Sequence, residues 1–472
     1  MPMPTATTPP AQRRSLLSLR SLLISINILL AGIFFVTLIT IRNHILENNI
    51  SSEGTRRVSS SSNKGHNDVH FNGGDQIITT TALENDNKKL KQSSKSNSVE
   101  DTTFSSNSFQ QQLRQSYNKQ YKQNHKSDTR KDDARRVHRA SPYIDTGHKK
   151  VLVTGGAGFV GSSVAGALLA RGDDVVIVDV MNDYYDVRIK ENNLQRLREM
   201  YPDDKRLAIY RGDICDEDYM LQLFEKERPQ WVCHMAARAG VRPSIQDPLP
   251  YIHSNIQGTT QLMELSHKFG VKNFVFASSS SVYGGSKSTF FSEDENVDNP
   301  ISPYAASKKA CELLAYTYHH LYQLNVTGLR FFTVYGPRGR PDMAPFKFID
   351  RVSRGLELQQ FGDGSSSRDY TYIDDIVDGV LRAIDRPCKY EIINLGKGSG
   401  TSLREFLDIV QKHVGKKAII KILPDQPGDV PYTCADVSKA YDLLGYSAAV
   451  PLDVGINRTV DWYMNEYRKY VY

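Results

Sequence analysis

The pattern of hydrophobic and polar positions divides the chain into three parts. Residues 22–41 form an uncharged apolar run, LLISINILLAGIFFVTLITI. Residues 42–148 show no apolar periodicity and are rich in Ser, Asn, Gln and Lys. From residue 149 onwards, short apolar runs alternate with segments whose apolar positions recur at helical spacing. This alternation is typical of a parallel sheet that is covered by helices on both faces.

The apolar run is long enough to cross a membrane. Its 20 residues would form a helix of about 30 Å, which is the thickness of the hydrocarbon layer. A cleaved signal peptide has an apolar region of only about 7–15 residues, so an anchor is favoured. Arginines flank the run on both sides, and the positive-inside rule therefore gives little guidance on orientation. We predict an N-terminal cytosolic tail at residues 1–21, a transmembrane anchor at residues 22–41 and a disordered stem at residues 42–148.

Six apolar runs predict the strands of the folded region. They read KKVLVT, DVVIVD, RLAIYRGDI, WVCHMAA, NFVFASSS and VTGLRFF. Helical segments separate them, which predicts an α/β fold with a Rossmann-type doubly wound parallel sheet. Residues 149–330 are interpreted as this nucleotide-binding domain, and residues 331–472 as a smaller C-terminal substrate-binding lobe.

Charge and cysteine content argue against two kinds of site. Residues 1–150 hold 22 Lys and Arg against 12 Asp and Glu, a net charge of +10, which leaves −4 for residues 151–472 because the whole chain carries +6. The basic charge lies outside the folded region, so nucleic acid is not expected as a partner. The five cysteines are widely spaced and include no CxxC pair. We expect ordinary thiols, with neither a disulfide framework nor a metal site.

A glycine-rich turn follows the first predicted strand. Gly155, Gly158 and Gly161 form GxxGxxG between a strand and a helix, where backbone N–H groups can approach a pyrophosphate. Asp179 ends the next strand, 24 residues after Gly155, at the spacing of a carboxylate that binds ribose hydroxyls. Such a carboxylate repels a 2′-phosphate and favours NAD over NADP. Asp213 ends the third strand, where it would meet the adenine ring. The remaining residues predicted for this cofactor site are Phe159, Val160, Ile214, Tyr304 and Lys308.

A tyrosine and a lysine carry the candidate chemistry. Tyr304 and Lys308 are four residues apart in YAASK, so a helix places them on one face. A lysine ammonium beside a phenol stabilises the phenolate, which can act as a base towards an alcohol. The sequence therefore predicts oxidation of an alcohol or sugar.

The strings TGGAGFVG, SSSSVYG and YAASK resemble those of the extended short-chain dehydrogenase/reductase superfamily. Four further strings are similar to those of the UDP-glucuronate 4-epimerases: NDYYDVRIKENNL, HMAARAGVRPSIQDP, LRFFTVYGPRGRPDMA and QPGDVPYTCAD. The resemblance covers about residues 149–465. It implies C4 epimerisation of a UDP-sugar, UDP-glucuronic acid, with bound NAD. It further implies a homodimer and a single-pass type II protein of the Golgi membrane.

The resemblance also implies roles for individual residues. Tyr304 matches the catalytic base, Lys308 its partner, and Ser279 the hydroxyl that bonds the reacting O4. Ser280 and Ser281 match a pair that contacts the sugar carboxylate. Because four serines follow one another, a one-residue ambiguity about these roles stays open.

Three residues nearer the C-terminus also match substrate contacts. Thr333 and Arg340 match residues that bind the carboxylate, with Arg338 as an alternative to Arg340. Arg368 matches a residue on the uridine diphosphate. The chain departs from the usual family string at Arg238, where Gln is usual, and at Pro243, where Tyr is usual.

Three other functions are weighed against this one. UDP-glucose 4-epimerases typically have Asn at the position of Thr333. The related decarboxylases carry an acidic residue in the serine motif, and none lies between Ser278 and Tyr283. A non-catalytic nucleotide-binding protein would not need Tyr304 and Lys308.

Overall fold

The computed structural model describes residues 144–202, 205–424, 430 and 432–471. The predicted tail, anchor and stem lie outside these residues, apart from the last few positions of the stem. Within the described ranges, no helix is both long enough and apolar enough to cross a membrane.

Twelve strands form in the described part of the chain. They are β1 Lys150–Thr154, β2 Asp174–Asp179, β3 Leu207–Arg211, β4 Trp231–His234, β5 Asn273–Ser279, β6 Val326–Phe331, β7 Thr333–Tyr335, β8 Glu357–Phe361, β9 Ser367–Tyr372, β10 Tyr390–Leu395, β11 Gly400–Ser402 and β12 Ile419–Leu423. Seven of them make one sheet in the order β10-β6-β5-β4-β1-β2-β3, and every pairing in it is parallel. The predicted Rossmann-type parallel sheet is confirmed.

Helices connect these strands. They are α1 Phe159–Arg171, α2 Val187–Met200, α3 Glu217–Glu227, α4 Val241–Gln246, α5 Leu249–Tyr251, α6 Gly258–Lys268, α7 Pro303–Tyr322, α8 Ala344–Arg354, α9 Ile373–Asp385, α10 Leu403–Val414, α11 Ser438–Leu444, α12 Leu452–Trp462 and α13 Arg468–Val471. A π-helical segment, Ile252–Gln257, joins α5 to α6, and a second, Tyr463–Tyr467, joins α12 to α13. Ser280–Tyr283 forms a 3-10 turn directly after β5.

The sheet is buried on both faces, which explains why its strands are apolar at successive positions. In β1, Val151 and Val153 join a core cluster with residues of α1 and α9. Leu152, between them, joins a second cluster with residues of α6 and α7. A parallel sheet needs such cover on both sides.

Two small sheets lie C-terminal to the first six strands. One has the order β11-β9-β7, and the other pairs β12 with β8. However, β10 belongs to the large sheet, where it pairs with β6. The large sheet therefore contains strands from both sides of residue 330, where the sequence analysis places a domain boundary. This boundary stays a prediction.

Candidate active site

A cavity of about 1270 Å³ opens at the carboxyl ends of the large sheet. The strand order reverses between β1 and β4, and ligands of doubly wound folds bind at such a point. Pockets for one small ligand are typically about 300–1,000 Å³, so this cavity is larger than such a pocket. Every residue that the sequence predicts for the site lines it: Gly155, Gly158, Phe159, Val160, Gly161, Asp179, Asp213, Ile214, Ser279, Ser280, Ser281, Tyr304, Lys308, Thr333, Arg340 and Arg368.

The glycine turn between β1 and α1 is tightly closed. Gly155 has a φ of 65°, and a Cβ at this position would lie 2.7 Å from the backbone of Ala236. A Cβ on Gly161 would lie 2.2 Å from the carbonyl oxygen of Gly155. Only glycine therefore allows these backbone segments to approach so closely. The absence of side chains also leaves the N-terminus of α1 open to an anionic group.

Asp179 is held in place at the end of β2. Its carboxylate accepts hydrogen bonds from the N–H groups of Ala157 at 3.2 Å and Met181 at 2.9 Å. Lys190 of α2 forms a buried ion pair with it at 3.3 Å and also lines the cavity. The sequence analysis missed Lys190. Its string was part of the family resemblance, but only the fold brings α2 to the end of β2.

Asp213 lies in the loop between β3 and α3, two residues beyond the end of the strand, and not at the strand end that the sequence predicts. Its carboxylate accepts from the N–H of Cys215 at 2.9 Å and contacts Nε2 of His253 at 3.1 Å. Burial alone would raise the pKa of Asp213, but these two partners hold it below its usual value. Asp213, Cys215 and His253 also bring their ligand atoms within 4.8 Å of one another, the one such potential metal-binding group among the described residues. The cysteines that the structure describes are all free thiols.

Tyr304 and Lys308 lie in the first two turns of α7, as predicted. The helix begins at Pro303, and Ser302 caps it by accepting from the N–H of Ala305. Lys308 is 3% exposed, and its ammonium donates to the carbonyl of Ala277 in β5 at 2.7 Å. The two residues thus lie on the cavity side of α7, with the lysine fixed to the central sheet.

The four serines divide into two roles by their contacts. Ser278, in β5, donates to buried Glu312 at 2.7 Å, and Glu312 pairs with Arg330. Ser279 instead accepts from both the N–H and the hydroxyl of Ser281, at 3.2 and 2.9 Å. The hydroxyl of Ser278 is therefore directed to a buried ion pair. Ser279 instead caps the 3-10 turn, and Ser279, Ser280 and Ser281, here called the serine turn, line the cavity.

Arg340 is the arginine of the PRGRPDM string that lines the cavity; Arg338 is absent from the lining that the described residues form. Asp342 accepts from Nε of Arg340 at 3.0 Å and from its Nη2 at 2.6 Å. Burial would lower the pKa of Arg340, but the Asp342 carboxylate holds it above its usual value. The sequence did not predict that an acidic side chain of the same protein would pair with Arg340.

Thr333 and Arg368 enter the cavity from neighbouring strands. Thr333 begins β7 and pairs with Tyr370 of β9. Arg368 lies two residues earlier in β9, and its guanidinium donates to the carbonyl of Ser367 at 2.8 Å. The β11-β9-β7 sheet therefore contributes side chains to the same cavity as the serine turn.

The chain is similar to known proteins in sequence and in fold. Residues 151–396 match the NAD dependent epimerase/dehydratase family. The UDP-glucuronate 4-epimerase of Thermodesulfobacterium geofontis is 46% identical over 312 residues, which is 66% of this chain and 95% of that protein. UDP-glucuronate 4-epimerase 5 of Arabidopsis thaliana is 43% identical over 67% of this chain and 76% of its own length.

A solved structure is also similar. The UDP-glucuronic acid 4-epimerase of Bacillus cereus, crystallised in complex with UDP-glucuronic acid and NAD, superimposes with a TM-score of 0.62 at 37% identity. It covers 66% of this chain, and this chain covers 98% of it. The glycine turn, the serine turn and the Tyr304–Lys308 pair thus lie in a fold shared with these proteins, and the chain belongs to the NAD dependent epimerase/dehydratase family.

Proposed function

We propose that this protein interconverts UDP-glucuronic acid and UDP-galacturonic acid by epimerisation at C4, with NAD as its bound cofactor. One observation carries the proposal: Tyr304, Lys308 and the serine turn open into the same cavity as the glycine turn. Relatives that are named for this reaction, and a similar structure that holds both UDP-glucuronic acid and NAD, support it.

The residues present fit NAD. The close approach at Gly155 and Gly161 leaves room for a pyrophosphate at the N-terminus of α1. The carboxylate of Asp179 can accept from ribose hydroxyls, and Lys190 forms a buried ion pair with it. Asp213 and Ile214 would hold the adenine. NAD, when bound, accepts the hydride from C4 of the sugar and returns it to the opposite face.

The chain's own residues handle the proton at O4. Tyr304 removes it as the hydride leaves, and Ser279 holds the same oxygen by a hydrogen bond. Lys308 stabilises the phenolate from one helical turn away. The resulting 4-keto sugar turns about its diphosphate link, and Tyr304 gives the proton back after hydride return. Arg368 is the proposed cation for the diphosphate.

The carboxylate must be protected during this step. In the 4-keto sugar the C6 carboxylate lies β to the ketone, so it leaves as CO₂ when the breaking bond aligns with the carbonyl π system. Ser280, Ser281, Thr333 and Arg340 line the same cavity. We assign them to hold the carboxylate away from that alignment, since fixed geometry selects between competing outcomes.

The assembly and location are also part of the proposal. Exposed apolar side chains, Leu313, Tyr316 and Leu321 on α7 and Leu249 on α5, occupy helices that pack against each other. A homodimer would cover this face. Residues 22–41 would anchor the protein in the Golgi membrane as a single-pass type II protein, with residues 331–472 contributing the substrate-binding lobe. Sedimentation of the Leu313→Asp variant should show a monomer, whereas an unchanged dimer would refute this interface.

Comparing the wild-type protein with the Tyr304→Phe variant tests the function. Each is incubated with UDP-glucuronic acid, and the products are separated by anion-exchange chromatography with mass spectrometry. The wild-type protein should form UDP-galacturonic acid, and the variant should lose this activity while NAD, released by denaturation, stays at the wild-type amount. An active Tyr304→Phe variant, or a wild-type protein without product, would refute the proposal.

A further inference from the structure

Two arginines lie over the ring of one tyrosine at the cavity. The guanidinium carbon of Arg238 is 4.1 Å from the ring centroid of Tyr184, and that of Arg340 is 5.4 Å from the same centroid. The two cations are therefore no farther apart than the sum of these distances. All three residues line the cavity. Cation–π contacts of this kind favour a fixed guanidinium position.

Arg238 is fixed through its backbone as well. Asn255, which is 1% exposed, accepts from the N–H of Arg238 at 2.8 Å and donates to its carbonyl at 2.9 Å. In contrast, the Nε atom of Arg238 is buried and has no hydrogen-bond partner among the described residues. A buried donor without an acceptor is costly, so the site favours a ligand that supplies an acceptor.

The local charge also favours an anion. Asp342 already occupies Nε and Nη2 of Arg340. Among the described residues, Asp342 forms an ion pair with Arg340, but no carboxylate forms one with Arg238. A net positive charge therefore remains beside the Tyr184 ring, and it comes from Arg238.

The position of this charge indicates which anionic group of the substrate it binds, the carboxylate or the diphosphate. Arg340 donates to the carbonyl of Ala239 at 3.3 Å, and the hydroxyl of Tyr251 donates to the same carbonyl at 3.5 Å. The ring of Tyr251 packs edge-on against that of Tyr304, with 6.1 Å between the centroids, so the arginine pair lies near the proposed catalytic base. The C6 carboxylate is attached to C5, next to the reacting C4, whereas the diphosphate is attached to C1 on the other side of the sugar ring. A cation near Tyr304 is therefore closer to the carboxylate.

From these observations we infer that Arg238, held on the Tyr184 ring, is a specificity-determining residue that binds the sugar carboxylate together with Arg340. The inference rests on the proposed function. It concerns a position where this chain has a cation and the family string usually has glutamine, so it describes a feature of this chain's own site.

Binding measurements on the full chain test it. Titration calorimetry is performed in a Tyr304→Phe background, which prevents turnover, with UDP-glucuronic acid and with UDP-glucose. Arg238→Gln should raise the Kd for UDP-glucuronic acid about tenfold, which is about 1.4 kcal/mol, and change the Kd for UDP-glucose less than twofold. Arg238→Lys, which retains the charge but not the planar fork, should lie in between. Arg188→Gln removes an exposed arginine of α2 and serves as the matched control with no expected effect.

The outcomes separate the possibilities. An equal loss of affinity for both sugars would place Arg238 on the shared UDP portion and overturn the carboxylate assignment. An unchanged Kd for UDP-glucuronic acid, with unchanged thermal melting, would also overturn it. A failure of the proposed function would be detected in the product analysis and not in these titrations: the wild-type protein would form no UDP-galacturonic acid, whatever the result with Arg238→Gln.

Discussion

Replacing Ser278 and Ser279 one at a time should have very different effects on turnover, although the two residues are neighbours in one run of serines. The hydroxyl of Ser278 donates to Glu312 at 2.7 Å, and both side chains are buried, at 2% and 1% exposure. The hydroxyl of Ser279 belongs to the serine turn at the cavity. Ser278→Ala therefore removes a structural hydrogen bond, whereas Ser279→Ala removes the hydroxyl that we propose to bind the reacting oxygen.

The structure sets the size of each effect. A hydrogen bond to a charged group contributes about 1.5–3 kcal/mol. Arg330 continues to hold Glu312 with two hydrogen bonds, at 2.9 and 2.8 Å, so the lower value, about 1.5 kcal/mol, is expected for Ser278→Ala. In a folded region of this size it lowers Tm by about 2 °C. Ser279→Ala removes a hydrogen bond that strengthens in the transition state and should lower kcat about 10²-fold.

Thermal melting and initial rates of UDP-galacturonic acid formation measure both effects on the same preparations. We expect Ser278→Ala to melt earlier with kcat within about threefold of wild type. Ser279→Ala also loses the two hydrogen bonds from Ser281 and should melt slightly earlier too, but with the large loss of kcat. If Ser278→Ala lost turnover as strongly as Ser279→Ala without a change in Tm, the division of the serine run would be refuted.

The remaining predictions concern the cofactor turn, the carboxylate and a buried histidine. Gly161→Ala would place a Cβ 2.2 Å from the carbonyl oxygen of Gly155, so the purified protein should retain severalfold less NAD, measured by absorbance after denaturation. Full retention would contradict the proposed role of the glycine turn in binding NAD. Arg340→Ala should lower turnover and release some UDP-pentose by loss of CO₂, detected by mass spectrometry, and an unchanged product and rate would contradict the carboxylate role. His234 is buried between the hydroxyls of Thr154 and Thr259, and burial lowers its pKa to about 3. The unfolded chain, with a histidine pKa of about 6.5, takes up a proton first as the pH falls, so this contribution to stability is complete above pH 6.5 and is lost towards pH 3. His234→Gln should flatten the decline of stability between pH 6.5 and 5 by up to about 1.4 kcal/mol per pH unit, measured by denaturant unfolding, and equal slopes would argue against it.

Local sequence patterns predict the parts of the site that depend on local structure. The apolar runs mark strand ends, so the glycine turn, Asp179 and Asp213 fall at one edge of the sheet as expected. The four-residue spacing of Tyr304 and Lys308 requires only a helix, and α7 supplies it. The residues assigned through the family resemblance, from Ser279 to Arg368, line the same cavity.

Contacts between distant segments could not be predicted in this way. Lys190 meets Asp179 only because α2 packs beside β2, and Ser278 meets Glu312 only because α7 covers β5. Asp342 is two residues from Arg340, but nothing in the string shows that the loop folds back to let them pair. Likewise, β10 joins the large sheet through pairing with β6, across more than fifty intervening residues. Such pairs depend on tertiary packing rather than on sequence periodicity.

The proposed mechanism requires that the hydride leaves C4 and returns to the same carbon while NAD stays bound. UDP-glucuronic acid with deuterium at C4 is incubated with the purified protein and no added cofactor, and the products are examined by mass spectrometry. The account predicts UDP-galacturonic acid that keeps both the mass and the deuterium at C4. Loss of deuterium to solvent, a product lighter by CO₂, or turnover of UDP-glucose alone would contradict it.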